Sequence, residues 1–169
     1  MKIDFNEIPE EGLSLTMDDA EWFPPELERS GKALASLRLK RSGQRVIATG
    51  RFSATVIGEC DRCLEKFDLP LDSEFRVDLE LADDSMAIGE EKDHFCHDNE
   101  LDMEILQSTE INTDDILRQQ FYVSVPVKKL CSEECRGICS KCGANLNVEA
   151  CRCPPEAASP FSVLAKLKG

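Results

Sequence analysis

Apolar and polar residues alternate through much of the first half of the chain, the pattern of strands that bury one face. Leu13, Leu15 and Met17 alternate with Ser14 and Thr16 and predict a strand, after which Trp22-Phe23-Pro24-Pro25 interrupts regular structure. Ala33 to Lys40 sets Leu34, Leu37 and Leu39 among polar residues; Ser42-Gly43 then reads as the turn of a hairpin returning through Val46-Ile47-Ala48. Arg51-Phe52-Ser53-Ala54-Thr55-Val56-Ile57 is rich in β-formers, and Phe67 to Leu71 resumes the pattern. In Phe75-Arg76-Val77-Asp78-Leu79-Glu80-Leu81 apolar and charged residues alternate strictly, so one face is buried and the other wet. Residues 30–82 therefore predict an antiparallel meander. Further on the period lengthens. Asn112 or Thr113 can cap a helix whose positive end suits Asp114 and Asp115, and Ile116, Leu117, Gln120 and Phe121 follow a helical stripe that Pro126 stops. Ser159-Pro160 opens a second helix, with Phe161, Val163, Leu164 and Leu167 on one face and Lys166 and Lys168 at its C-terminal end.

Composition adds a globular class: 41% of the 169 residues are hydrophobic and 31% charged. The formal charge of −13 repels phosphate backbones and attracts basic partners, which argues against nonspecific nucleic-acid binding by the whole surface. Much of that charge lies between 83 and 104, where Asp83, Asp84, Glu90, Glu91, Asp93, Asp98, Glu100, Asp102 and Glu104 stand against Lys92 alone. An acidic loop or excursion is expected there, with a solvated loop the plainer reading and a site for a basic partner the functional one. His94, Cys96 and His97 fall inside it without a second cysteine pair nearby, a weak ligand set. No apolar run approaches the roughly 18–20 residues needed to span a bilayer. Met1 to Glu7 has neither the basic start nor the apolar stretch of a secretory signal, so a cytoplasmic location is expected.

A reducing compartment changes how nine cysteines are read, because disulfides are disfavoured there and dense spacing favours metal. Cys131, Cys135, Cys139, Cys142, Cys151 and Cys153 crowd the C-terminal part. Cys139 and Cys142, spaced C-x-x-C with Gly143 next, can aim two sulfurs at one ion from a tight turn, the glycine supplying positive φ. The other half of a tetrahedral zinc site comes from Cys131 and Cys135 or from Cys151 and Cys153; six thiols exceed the four that one structural zinc needs, and one ion is the simpler arrangement. The spacing departs from that of ferredoxin clusters. Cys60 and Cys63 form another C-x-x-C between two expected strands. They can be a metal half-site completed by C-terminal cysteines, a turn with two partly buried thiols, or a redox pair, although redox pairs open helices. The expected fold class is α+β: an antiparallel β meander or partly open barrel with a few helices and a C-terminal zinc-binding cysteine-rich appendage. Residues 1–130 form the core domain and 131–169 the cysteine-rich segment with the closing helix.

No nucleophile constellation or glycine-rich phosphate cradle stands out, and no enzymatic activity is expected. Three segments resemble the large-ribosomal-RNA-subunit accumulation protein family, also called the YceD family. They are Gly58-Glu59-Cys60-Asp61-Arg62-Cys63-Leu64-Glu65-Lys66-Phe67, the run from Val125-Pro126-Val127-Lys128-Lys129-Leu130-Cys131 through Asn145-Leu146-Asn147, and the closing Ser159-Pro160-Phe161-Ser162-Val163-Leu164-Ala165-Lys166-Leu167. The resemblance covers roughly residues 30–169. It implies a factor needed for accumulation of large-subunit ribosomal RNA. The acidic surface would then hold a basic ribosomal protein or a precursor particle of the large subunit, with contact to rRNA possible only indirectly or through Lys128, Lys129, Arg136, Lys141 and Arg152 around the cysteines. The rivals are a thiol redox protein using Cys60 and Cys63 and a structural zinc module of a non-ribosomal complex.

Overall fold

The computed structural model describes residues 1–17, 22–82 and 103–154. The acidic stretch up to residue 102, the His94, Cys96 and His97 trio and the closing helix expected from Ser159 lie outside the described residues. Contacts divide the chain into two compact units. The first is Met1–Gly58 with Phe67–Lys128, and the second is Glu59–Lys66 with Lys129–Gly169. The second unit thus joins the short stretch 59–66 to the chain beyond residue 128.

In the first unit the strands are β1 (Lys2–Asp4), β2 (Leu13–Met17), β3 (Leu34–Ser42), β4 (Arg45–Glu59), β5 (Lys66–Leu81), β6 (Met103–Leu106) and β7 (Glu110–Asn112), with β4 and β5 each reaching into the second unit at one end. A 3-10 turn (Phe5–Glu7) follows β1, and one α-helix, α1 (Thr113–Ser124), follows β7. β2 to β6 make one five-stranded sheet in chain order, while β1 and β7 pair separately. The expected meander is present: Leu37 sits opposite Gly50 and Leu39 opposite Ala48 across the β3–β4 hairpin. The sheet is open, with β2 and β6 at its edges, rather than a partly open barrel. β6 is also parallel to β5, pairing Leu79 with Glu104. A parallel neighbour needs a crossover instead of a tight turn, and residues 83–102 lie in that connection. Met103 and Glu104, expected to end the acidic excursion, belong to β6.

Period-two patterning explains which face is buried. In β3 it is Ala35, Leu37 and Leu39 that point inward, while Leu34 is exposed; in β4 it is Val46, Ala48, Phe52, Ala54 and Val56. The core forms two apolar clusters. One gathers Leu37, Leu39, Val46 and Leu79 with Ile3, Ile8, Ile111 and Ile116; the other gathers Phe52, Val56 and Leu71 with Trp22, Phe23, Leu117 and Phe121. α1 serves both, through Ile116 on one side and Leu117 and Phe121 on the other. Its start is capped as expected, by Asn112 Oδ1 accepting from the Asp114 N–H at 3.2 Å. Buried Thr113 is satisfied, its N–H and its hydroxyl both donating to the Met1 carbonyl.

Gly50 is the position where β4 tolerates no side chain. The Phe75 ring of neighbouring β5 lies over its backbone, and a Cβ there would stand 2.4 Å from Phe75 Cζ and 2.9 Å from the Ser36 carbonyl oxygen. Gly50→Ala should force the ring aside and lower stability by about 1–3 kcal/mol, read as a lower urea midpoint at unchanged m-value. A midpoint equal to the parent's would mean that Phe75 packs elsewhere.

Candidate metal centre

The described residues of the second unit form no core of aliphatic or aromatic side chains. Among its described residues only Cys60, Cys63, Cys135 and Gly137 are buried. Something other than apolar burial must order it, and the arrangement of its sulfurs supplies that element.

Eight of the nine cysteines fall into two groups of four: Cys60, Cys63, Cys131 and Cys135, and Cys139, Cys142, Cys151 and Cys153, the sulfurs of each lying within 4.8 Å of one another. Cys139 and Cys142 thus meet Cys151 and Cys153, one of the two completions the sequence leaves open, and Cys60 and Cys63 meet two C-terminal cysteines. Cys131 and Cys135 turn away from Cys139 and Cys142 and join Cys60 and Cys63. All eight are free thiols. In the first tetrad Cys60 Sγ is 3.8 Å from Cys135 Sγ and Cys63 Sγ is 3.6 Å from Cys131 Sγ. In the second, Cys151 Sγ is 3.6 Å from Cys142 Sγ and 3.2 Å from Cys139 Sγ. A disulfide bond would be about 2.05 Å. Four sulfurs each about 2.3 Å from a central zinc lie about 3.8 Å apart in a regular tetrahedron, which the observed spacings approach. Each tetrad could hold a metal ion.

Local sequence builds both tetrads from the same turn. The Cys139 carbonyl accepts from the Gly143 N–H at 2.9 Å, and the Cys139 N–H donates to the Ala144 carbonyl at 2.8 Å. The Cys60 carbonyl accepts from the Leu64 N–H at 2.9 Å, and the Cys60 N–H donates to the Glu65 carbonyl at 2.9 Å. Gly143 takes φ of 73° without cost; Leu64 takes φ of 60° in the corresponding place, a conformation that is unfavourable for a residue with a Cβ. The turns also aim N–H groups at sulfur, as from Lys141 to Cys139 at 3.4 Å and from Cys153 to Cys151 at 3.3 Å.

Residues outside the cysteines brace this frame. Asn147 Nδ2 donates to Cys135 Sγ at 3.3 Å while its Oδ1 accepts from the Arg136 N–H at 2.8 Å. Asn145 Oδ1 accepts from the Asn147 backbone N–H at 3.0 Å. The Asp61 carboxylate accepts from the Lys129 N–H at 2.6 Å. Arg62 donates to the carbonyls of Cys135 at 2.8 Å and Glu133 at 3.2 Å, and its own carbonyl accepts from the Ile138 N–H. Asn145 and Asn147 stood inside the segment that carries the family resemblance, but only contact shows that Asn147 serves a sulfur.

The thiols do not ionise alike. Burial pushes the Cys60 thiol up, but hydrogen bonds from the N–H groups of Cys131, Cys63 and Arg62 outweigh it and bring the thiol down to about 6. Backbone N–H groups of Cys142 and Lys141 bring Cys139 down to about 6. Sharing the site with Cys63 and Cys135 pushes Cys131 up to about 12, and proximity to Cys151 and Cys142 pushes Cys153 up to about 12. Four sulfurs within contact cannot all carry charge unless a cation lies among them. A redox C-x-x-C needs an accessible nucleophile at a helix start. Cys60 and Cys63 sit between β4 and β5 and are 0% and 4% exposed. Of the basic residues near the cysteines, Lys141 is engaged with the Pro154 carbonyl at 2.9 Å.

No helix among the described residues is long and apolar enough to cross a membrane. No solved structure matches the chain. An Arabidopsis thaliana protein, "Large ribosomal RNA subunit accumulation protein YCED homolog 1, chloroplastic", is 32% identical to it over 85 residues, 50% of this chain and 24% of that protein. The chain thus spans about a quarter of that relative's length. The profile of the family described as "Large ribosomal RNA subunit accumulation protein YceD" matches residues 48–168, from within β4 past the last cysteine. This chain belongs to the YceD family.

Proposed function

We propose that the chain supports accumulation of large-subunit ribosomal RNA by binding a basic ribosomal protein, without catalysis and in the cytoplasm, with zinc held at Cys139, Cys142, Cys151 and Cys153. Family membership supplies the ribosomal context. The distribution of charge carries the rest. Between 83 and 102 acidic residues face a single lysine, whereas the described part of the second unit carries six acidic and six basic side chains. A tetrathiolate zinc is formally −2, so metal makes the cysteine-rich unit more negative still. Its lysines and arginines therefore offset thiolate charge more readily than they form a phosphate-facing patch. A ribosomal protein rich in lysine and arginine is the complement such a molecule attracts, at long range and less strongly in salt.

Capture of the tagged chain from its own cells, at low and moderate salt, tests this reading alongside a variant whose Asp and Glu residues from 83 to 102 are Asn and Gln. A basic large-subunit protein is expected with the parent chain, declining as salt rises and lost in the neutral variant. Equal recovery by both would remove the acidic stretch from binding. Precursor rRNA accompanied by many ribosomal proteins would replace a holding role with residence on an assembling particle.

A further inference from the structure

We propose that Cys60, Cys63, Cys131 and Cys135 form a second zinc site, so that the chain carries two ions. The proposal deepens the zinc reading of the C-terminal tetrad but stands on its own residues. Three independent features support it. The sulfur spacings of 3.6 and 3.8 Å fit a tetrahedral ion and exceed any disulfide. The turn Cys60–Glu65 has the same pair of backbone hydrogen bonds as Cys139–Ala144, and Leu64 holds positive φ to maintain it. Such a conformation persists in a non-glycine residue where the surroundings over-determine it, and four converging sulfurs do so. Finally, Asn147 aims an amide N–H at Cys135 Sγ, the kind of outer contact that orients a metal ligand.

Plain buried thiols, acting as small hydrophobes, would bury against other apolar side chains. Here the buried residues among those described in the unit are three of the thiols and one glycine. An iron–sulfur cluster places iron and sulfide between its ligands and would spread the cysteine sulfurs further apart. A single ion in a four-thiolate cage is the chemistry that fits, and zinc is the metal such structural cages take. The two sites differ in access. Cys60, Cys63 and Cys135 are buried, while none of Cys139, Cys142, Cys151 and Cys153 is. The first ion should therefore leave more slowly.

Native mass spectrometry and elemental analysis of the full chain, purified under reducing conditions with zinc supplied, decide the matter. The expected content is two zinc ions for the parent, one for Cys60→Ser/Cys63→Ser and one for Cys139→Ser/Cys142→Ser. One ion in the parent, lost in the second variant and kept in the first, overturns this proposal and leaves the C-terminal site standing. The reverse overturns the C-terminal site and leaves this one. Iron at this tetrad overturns zinc there. Should Cys60→Ser/Cys63→Ser fail to fold, alkylation of the parent protein provides the answer. Cys131 is exposed; it should resist N-ethylmaleimide until a chelator is added, and prompt labelling in the untreated protein refutes the site.

Discussion

Stripped of metal by a strong chelator under reducing conditions, the chain is expected to lose the order of residues 59–66 and 129–154 while keeping its sheet. Amide signals from the second unit should collapse to unstructured positions, and those of β3, β4 below Gly58, β5 beyond Phe67 and α1 should remain dispersed. The reason is the contrast between the units. The first buries Trp22, Phe52, Leu79, Phe121 and many smaller apolar residues. The described residues of the second bury three thiols and a glycine. Ordering each residue costs about 1–2 kcal/mol of backbone entropy, and the described part of that unit has almost no apolar area to offset it. Zinc at the proposed tetrads would add to that order, since the binding free energy of structural zinc in finger peptides appears there as folding free energy. Bond-length agreement alone would not forecast so large an effect; the missing core does. Restoring zinc should restore the signals. Dispersed signals throughout, with the metal shown to be gone, would refute a metal-ordered unit.

How far these features were legible follows from how local each one is. β2, the β3–β4 hairpin and the alternating part of β5 follow from period-two patterning within a few residues. α1 follows from its Asn112 cap, its stripe and Pro126. What escaped depends on partners far along the chain. Ile3 pairs with Ile111 and so places β1 beside β7, a choice no local pattern contains. Trp22 and Phe23 read as a break in regular structure, yet both are core residues, because irregular backbone can still deliver large rings to the interior. β6 pairs in parallel with β5 across a connection whose composition advertises only charge. At the metal centre, the turn at Cys139 was readable because Gly143 marks positive φ. Its counterpart at Cys60 carries Leu64 instead, which hides the same geometry. The division of eight thiols into tetrads rests on residues 60 and 135 meeting in space. Spacing along the chain leaves 131/135 and 151/153 equally open as partners of 139/142, and the fold brings 151/153 there.

Phe121→Ala is expected to cost about 3–5 kcal/mol of the first unit's stability. Phe121 is 0% exposed at the centre of an aromatic cluster. Its ring centroid is 5.1 Å from that of Phe23, 5.6 Å from Phe52 and 6.0 Å from Trp22, with the Phe23 and Trp22 contacts edge-on. Removing the ring therefore deletes its own burial and leaves three other rings facing a void, to which such edge contacts add about 0.5–1.5 kcal/mol each. Because a domain of this size is stable by only about 5–15 kcal/mol, the variant should unfold at a urea midpoint lower by roughly 2 M. Val123, two residues further along α1, is the internal control: it is 79% exposed, and Val123→Ala should change stability by less than about 0.5 kcal/mol. In native buffer the Phe121→Ala protein should keep its zinc content, because no cysteine of either tetrad contributes to that cluster. A loss below about 1 kcal/mol would mean that α1 does not seat Phe121 among these rings. Full loss of zinc in a chain whose sheet remains folded would mean that the aromatic core, rather than the sulfur turns, positions the metal ligands.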